Sequence, residues 1–378
     1  MSIDVKEVKT KKELKNFIKF QMKLYEGNPY YVPQLIRDEM EIFDKKKNPA
    51  YENGDTKLFL AYKDGKIVGR IAALLNRAAN EKYKQNNLRF GWFDGIDDFE
   101  VVKALFDKVE DWGRELGMET MTGPQGFTDL DPEGMLIEGF EELQTIATIY
   151  NYPYYKELLE KYGFKKEIDY IEFQTKTPKS FDEVPEKLKR TAKWVKERYG
   201  FKLMKFKSVK EAKKHGKELF DLLDEAYEEL YGTSPLTERQ KEYYIKKYIP
   251  FVNPKLLEAV ENEKGEMIGF MITMPSLSKA FQKAKGRLFP FGFIHILKAL
   301  KTYETLDFYL AAVKKEYRGK GVDLLMILDI IEKGIKFGFK NGESNPELET
   351  NKKIQGEWKY FNPRQHKRRR IFIKNIGK

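Results

Sequence analysis

Two hydrophobic periods alternate along the chain of 378 residues. Leu14, Phe17, Ile18, Met22 and Leu24 keep to one face of a helix that Asn28-Pro29 ends, and a second short helix follows Val32-Pro33 and runs through Met40. Apolar runs over 58–62 and 67–75 flank Lys63-Asp64-Gly65-Lys66, and Asp-Gly between two such runs predicts a β-hairpin. A strand over 88–93 precedes a helix over 99–116, with Val102, Leu105, Phe106, Val109 and Trp112 on one face. A helix over 154–162 stops at Gly163, whose missing side chain suits a left-handed cap, and a strand over 168–174 returns.

After Thr177-Pro178, a charged helix over 182–199 joins this first series to a second. A strand over 201–206 leads to helices around 212–230 and 238–248, then to apolar runs over 256–260 and 267–274 about the turn Glu263-Lys264-Gly265. The segments KIVGRIAALL (66–75) and EMIGFMITMP (266–275) put Gly69 and Gly269 in equivalent places. The economical reading is an α+β protein with two copies of one unit, at 1–176 and 201–378, and a linker helix at 177–200. Residues 276–304 look like an insertion into the second copy, and FGFIHILKAL within them reads as an amphipathic packing or partner-binding helix.

The chemistry suggested by the pattern lies between Asp307 and Phe337. A strand pattern there runs into Arg318-Gly319-Lys320-Gly321 and then into a helix carrying Val322, Leu325, Met326, Ile330 and Ile331. Glycines at a strand-to-helix junction let the backbone approach a ligand, and amides at a helix N-terminus point at an anion, so the turn is a candidate phosphate cradle.

Composition narrows the options. There is no cysteine, which excludes disulfides, thiolate metal sites and a cysteine nucleophile. His215, His295 and His366 are too scattered to suggest a metal centre, and none is expected. No stretch reaches the roughly 18 to 20 apolar residues of a membrane span. The start of the chain lacks a signal-peptide apolar region. The expectation is a cytoplasmic protein with no membrane partner. Charge is uneven: residues 1–176 hold 27 Lys and Arg against 32 Asp and Glu, a net −5, leaving a net +16 beyond. A basic second half favours an anionic partner there.

Taken together, the order of elements and the Arg-x-x-Gly-x turn resemble the GNAT superfamily of acyl-CoA-dependent N-acyltransferases, in tandem. The resemblance implies two domains, each a mixed, mostly antiparallel sheet flanked by helices. It implies that acetyl-CoA or another acyl-CoA is the co-substrate, held on Arg318, Gly319, Lys320, Gly321 and Val322, with Ala311 and Val313 on the strand that pairs with pantetheine and Asn351 downstream. Asp323 departs from the family's small sixth residue. Trp358 stands where many members have the tyrosine that acts as general acid, and Tyr360 is the nearest phenol. In the first copy, Leu159 takes the tyrosine position and Asp94-Gly95-Ile96-Asp97-Asp98 replaces the phosphate turn, so that copy is expected to be degenerate for CoA.

Residues 123–153 form a long, weakly periodic segment where the family's substrate side would be, and such segments tend to be functional. Asp129, Asp131, Glu133 and Glu138 are candidates to hold a cationic amine, either a small molecule or a lysine, with Tyr154 and Tyr155 as walls; an ordinary capped loop is the alternative. HKRRRIFIK (366–374) is a basic cluster on a strand pattern. Such runs are more often solvated edges, but tandem GNAT-like halves also occur in aminoacyl-tRNA-dependent transferases, which keeps that reading open beside a non-catalytic module binding RNA or another anion.

Overall fold

A computed structural model describes residues 3–377. The first half runs β1 (Asp4–Glu7), α1 (Lys11–Leu24), α2 (Ile36–Ile42), β2 (Gly54–Lys63), β3 (Lys66–Asn76), α3 (Arg77–Tyr83), β4 (Asn87–Gly95), α4 (Phe99–Glu115), β5 (Thr120–Gly123), β6 (Met135–Glu138), α5 (Tyr154–Tyr162) and β7 (Lys165–Lys176). The second half opens with α6 (Glu186–Tyr199), β8 (Lys202–Leu203), α7 (Val209–Lys214), α8 (Gly216–Tyr227), α9 (Glu238–Tyr248), β9 (Leu257–Glu261) and β10 (Met267–Pro275). It continues with α10 (Ser278–Ala284), α11 (Gly292–Ala299), β11 (Thr305–Val313), α12 (Val322–Phe337), β12 (Asn341–Ser344), β13 (Glu347–Leu348), α13 (Lys352–Trp358) and β14 (Arg364–Asn375).

Local chemistry sets most of these boundaries. Thr10 and Glu13 form a reciprocal capping box at the start of α1, as Thr237 and Gln240 do for α9. Asp98 caps α4 by accepting from the Glu100 amide. Asp64 and Gly65 both have positive φ in the β2–β3 turn, which that tight hairpin requires. Two glycines make the repeat physical. A Cβ on Gly69 would stand 2.8 Å from Leu105 and 2.9 Å from Val101 of α4, and one on Gly269 would stand 2.6 Å from Val322 of α12. In each half this glycine lets the long helix lie directly on the hairpin's outgoing strand.

One sheet carries both halves, in the order β1-β2-β3-β4-β5-β14-β7-β12-β11-β10-β9-β8. The halves exchange their last strands. β7, from the first half, pairs with β12 of the second, while β14 inserts between β5 and β7. The first core accordingly includes Phe372 and Ile376 from the end of the chain beside Phe90, Leu105 and Phe106.

The basic cluster at 366–374 lies on β14, at the centre of this sheet. Lys367 and Arg369 are buried; Lys367 reaches Glu343 at 2.6 Å and Arg369 reaches Glu172 at 2.5 Å. Arg370 pairs with Asp169 at 2.7 Å. These cations neutralise acids on β7 and β12, so they offer no groove for a nucleic-acid backbone. Removing one partner would leave an uncompensated buried charge, at a cost of about 3–5 kcal/mol.

Candidate active site

Parallel neighbours β11 and β12 are paired only from Thr305 with Asn341 to Phe308 with Ser344. Beyond that point they part, and Tyr309 to Val313 keep β10 on one side while no strand pairs with their other edge, where side chains of Asn345 and Tyr227 reach the Tyr309 and Ala311 carbonyls. The chain then makes a single turn of tighter helix at Lys315–Tyr317 before Gly319 and Gly321, with φ of +76° and +81°, swing it into α12. Among the described residues the amides of Gly319, Gly321 and Val322 have no hydrogen-bond partner, so donors stand ready at the helix N-terminus. The Arg318 side chain ties this turn down: it donates to the Ala226 carbonyl at 2.7 Å and to the Val313 carbonyl at 3.3 Å. The turn residues differ in surroundings. Gly319 is open on its missing-side-chain face, whereas a Cβ on Gly321 would stand 2.7 Å from Val195 of the linker helix α6. Val322 is a core residue, and the Lys320 ammonium lies over the Tyr317 ring. Asp323 accepts from the Leu324 amide at 2.9 Å.

The open edge of β11 borders a cavity of about 1600 Å³. Its wall brings together Ala311, Val313, Arg318, Gly319 and Asn351 from the second half with Asp129, Asp131 and Glu133 from the first. Asn351 also caps α13, accepting from the Ile354 amide. Much of the remaining wall is apolar, including Met274, Leu277, Phe281, Ile296, Leu306 and Leu310. The expected tyrosine walls lie elsewhere. Tyr155 is buried in the first core, accepting from the Tyr25 hydroxyl and the Gly95 amide and donating toward Asp94, and Tyr154 donates to the Gly95 carbonyl. Tyr360 sits half-exposed in the turn after α13, outside the cavity wall.

The three acids are not equivalent. Asp131 accepts from the Phe127 and Thr128 amides at 2.8 and 3.1 Å, which makes it the brace of its own loop. Burial raises the Asp129 carboxyl to about 6, an effect that nearby Asp131 and Asp224 add to and Arg89 opposes. Burial likewise raises Glu133 to about 7, against the pull of Tyr170. A carboxyl near neutrality exists as both acid and base at working pH, the condition proton transfer favours.

Several wall residues escaped the sequence reading. Tyr227, at the end of α8, donates to the Ala311 carbonyl at 3.3 Å. Burial pushes its phenol up, and Asp129 adds to this, so it is a neutral hydrogen-bond donor. Trp358, which the sequence places at the tyrosine position, stands edge-on to Phe308 of β11 at 5.4 Å and donates to Glu347 of β13 at 2.7 Å. Burial raises Glu347 to about 8, and burial together with Asp323 raises Glu357 to about 9. The only sequence signal for Tyr227 was its place four residues after Leu223 on the apolar face of α8.

The corresponding place in the first half is filled by side chains. Arg70 of β3 pairs with Asp94 at 2.7 Å, both fully buried, and Tyr25 donates to the same carboxylate. The space left beside them is about 40 Å³. A neutralised pair therefore occupies that place. Two of the three carboxylates of that turn are not free, because Asp94 has a cation and Asp98 caps α4 while pairing with Lys63. Elsewhere, Glu172, Glu343 and His366 converge closely enough to hold a metal ion. The Lys367 ammonium already stands between the two carboxylates, 2.6 Å from Glu343 and 3.4 Å from Glu172, and supplies the positive charge.

Solved structures identify the fold. A solved tandem GNAT protein from the clavulanic acid biosynthesis pathway superposes with a TM-score of 0.58 over 100% of this chain and 99% of its own, at 11% identity. The chain has the tandem GNAT fold. No protein-family model matches the chain. By sequence it is 26% identical over 373 residues to Protein YghO of Escherichia coli, covering 97% of this chain and 94% of that protein. It is also 26% identical over 357 residues to a bacterial ceramide synthase of Caulobacter vibrioides, covering 93% and 91%. In this fold the pair that parts is β11 and β12, and the glycine turn lies just beyond β11.

Proposed function

We propose that the protein is an N-acyltransferase that moves a long acyl chain from acyl-CoA to the amine of a lipid-like acceptor. The observation that carries this reading is the single cavity that joins the Gly319 turn and the free β11 edge to Asp129 and Glu133. In it, the Gly319, Gly321 and Val322 amides would face the CoA phosphates while the open edge of β11 takes the pantetheine. The acceptor arrives as an ammonium ion, and Asp129 supplies a counter-charge. Glu133, at about 7, takes the proton from nitrogen, the amine attacks the thioester carbon, and the C–N bond forms as the C–S bond breaks. The departing thiolate takes up the second proton that nitrogen gives up as the amide forms, and Tyr227 donates to the Ala311 carbonyl without becoming a base.

Cavity size and lining support a long chain in place of the acetyl group expected by default. Pockets for small ligands usually enclose roughly 300–1,000 Å³, and this one is larger at about 1600 Å³, with an apolar wall. The bacterial ceramide synthase supports the acceptor class, since a ceramide is a long-chain amino alcohol carrying an acyl chain in amide linkage. The test is thiol release from palmitoyl-CoA and from acetyl-CoA, each with a long-chain amino alcohol and with a short primary amine. Turnover should require the long chain on both substrates. Acetyl-CoA with the short amine turning over as well as the long pair would overturn the chain-length assignment, and no thiol release from any pair would overturn the activity.

A further inference from the structure

The insertion between β10 and β11 groups large apolar side chains at the surface. Phe289 is 72% exposed, Phe291 68%, Leu297 58% and Ile294 49%, on and just before α11. Soluble surfaces rarely group large apolar side chains in this way without a partner. The opposite side of the same segment is anchored, because Ile296 packs with Phe281, Leu277 and Val32. The patch is therefore held in place by a core and is not a frayed helix.

Charge narrows the choice of partner. From Met267 to Tyr303 the chain has six Lys and Arg and not one Asp or Glu. Lys283, Lys285, Arg287, Lys298 and Lys301 are all exposed, and among the described residues none of these five forms an ion pair. A second copy of this face would bring cations against cations. An anionic bilayer surface instead offers headgroups to the lysines and an apolar interior to the aromatics, the combination that interfacial helices use. The patch also continues inward: Leu288, Phe293, Ile296 and Leu297 line the large cavity. Phe251, itself 54% exposed, lines it too.

We propose that the α10–α11 segment seats the protein on an anionic bilayer, with Phe289, Phe291, Ile294 and Leu297 entering the headgroup layer and the cavity opening toward the lipid. The role as an entry for substrate rests on the acyltransferase reading, but the attachment does not. No helix among the described residues is long and apolar enough to cross a membrane, so the contact is peripheral.

Co-sedimentation of the full chain with vesicles tests it without measuring activity. One set is phosphatidylcholine alone and the other an equimolar mixture with phosphatidylglycerol. Binding should be confined to the anionic vesicles and should weaken as salt is raised. The double variant Phe289→Ser, Phe291→Ser, altered only at exposed positions, should bind about tenfold more weakly with an unchanged melting temperature. Lys298→Glu with Lys301→Glu should lose binding as well. Failure of the native chain to bind anionic vesicles, or equal binding by the serine variant, would overturn the proposal. So would a dimer that the serine variant dissolves in the absence of vesicle binding. Thiol release from soluble substrates is measured separately, so the attachment and the acyltransferase reading can fail independently.

Discussion

Gly319 and Gly321 share a left-handed backbone but answer to different constraints. Gly321 has Val195 against it, so a side chain there disrupts the packing of α6 whether or not a ligand binds. Gly319 has nothing within 4 Å, and Gly319→Ala costs only the left-handed penalty of about 1–2 kcal/mol. That variant should fold and bind CoA about tenfold more weakly in calorimetry, since a methyl group then stands where the phosphate must approach; unchanged affinity would remove the turn from the site. The acids separate in the same way. Asp131→Ala strands two loop amides and should cost about 1–3 kcal/mol of stability. Asp129→Asn should instead raise the KM for the amine while leaving the CoA Kd alone. Glu133 sets a pH dependence. Its pKa is raised, so the basic form grows as pH rises, and kcat/KM should climb through about pH 7. In Glu133→Gln that climb should vanish with a loss of about 10²–10⁴-fold in rate. Glu357 belongs to stability. A carboxyl with a folded pKa near 9 binds more protons folded than unfolded, so its contribution weakens as pH rises from about 4.5 to 9. Glu357→Gln should flatten the decline of Tm over that range, and an undiminished slope would assign the decline to other groups.

At the scale of elements, the Gly69 and Gly269 pair connects pattern to packing. Gly269→Ala forces a Cβ to within 2.6 Å of Val322 and should destabilise by about 1–3 kcal/mol, with the α12 side of the sheet loosened first in hydrogen exchange. Equal protection in native and variant chains would mean that α12 can shift at little cost. The equivalence of these glycines was visible in the sequence because a hairpin and the helix that covers it are written locally. So were α4, α5 and α9, whose capping residues and apolar spacing lie within a few positions. The exchange of β7 and β14 was not visible, because strand pairing across some 200 residues leaves no local period. The same blindness explains Arg369 and Lys367. As a run of basic residues they read as a surface, and only the fold reveals Glu172 and Glu343 opposite them. In the site, the glycine turn and the acidic loop could be read from residue types. Tyr227 could not, since its part depends on where α8 meets the edge of β11.

For the whole molecule, strand exchange makes the halves one cooperative unit. Residues 1–176 alone would lack β14, leaving β5, β6 and β7 without a neighbour on that side and removing Phe372 and Ile376 from the first core. Residues 177–378 alone would expose the β12 edge and leave Lys367 and Arg369 without Glu172. Unpaired edges invite aggregation, and unpaired buried charges are among the costliest defects a fold can carry. Each half expressed alone should therefore fail to give a cooperative melt, whereas the two co-expressed as separate chains should assemble into a folded pair with β7 and β14 interleaved. The intact protein should unfold in one calorimetric transition and bind one CoA, since the first half offers only about 40 Å³ at the equivalent place. A soluble 1–176 fragment with a sharp transition of its own would show that the exchange adds little to stability. Two CoA per chain would show that the Arg70–Asp94 pair can be displaced.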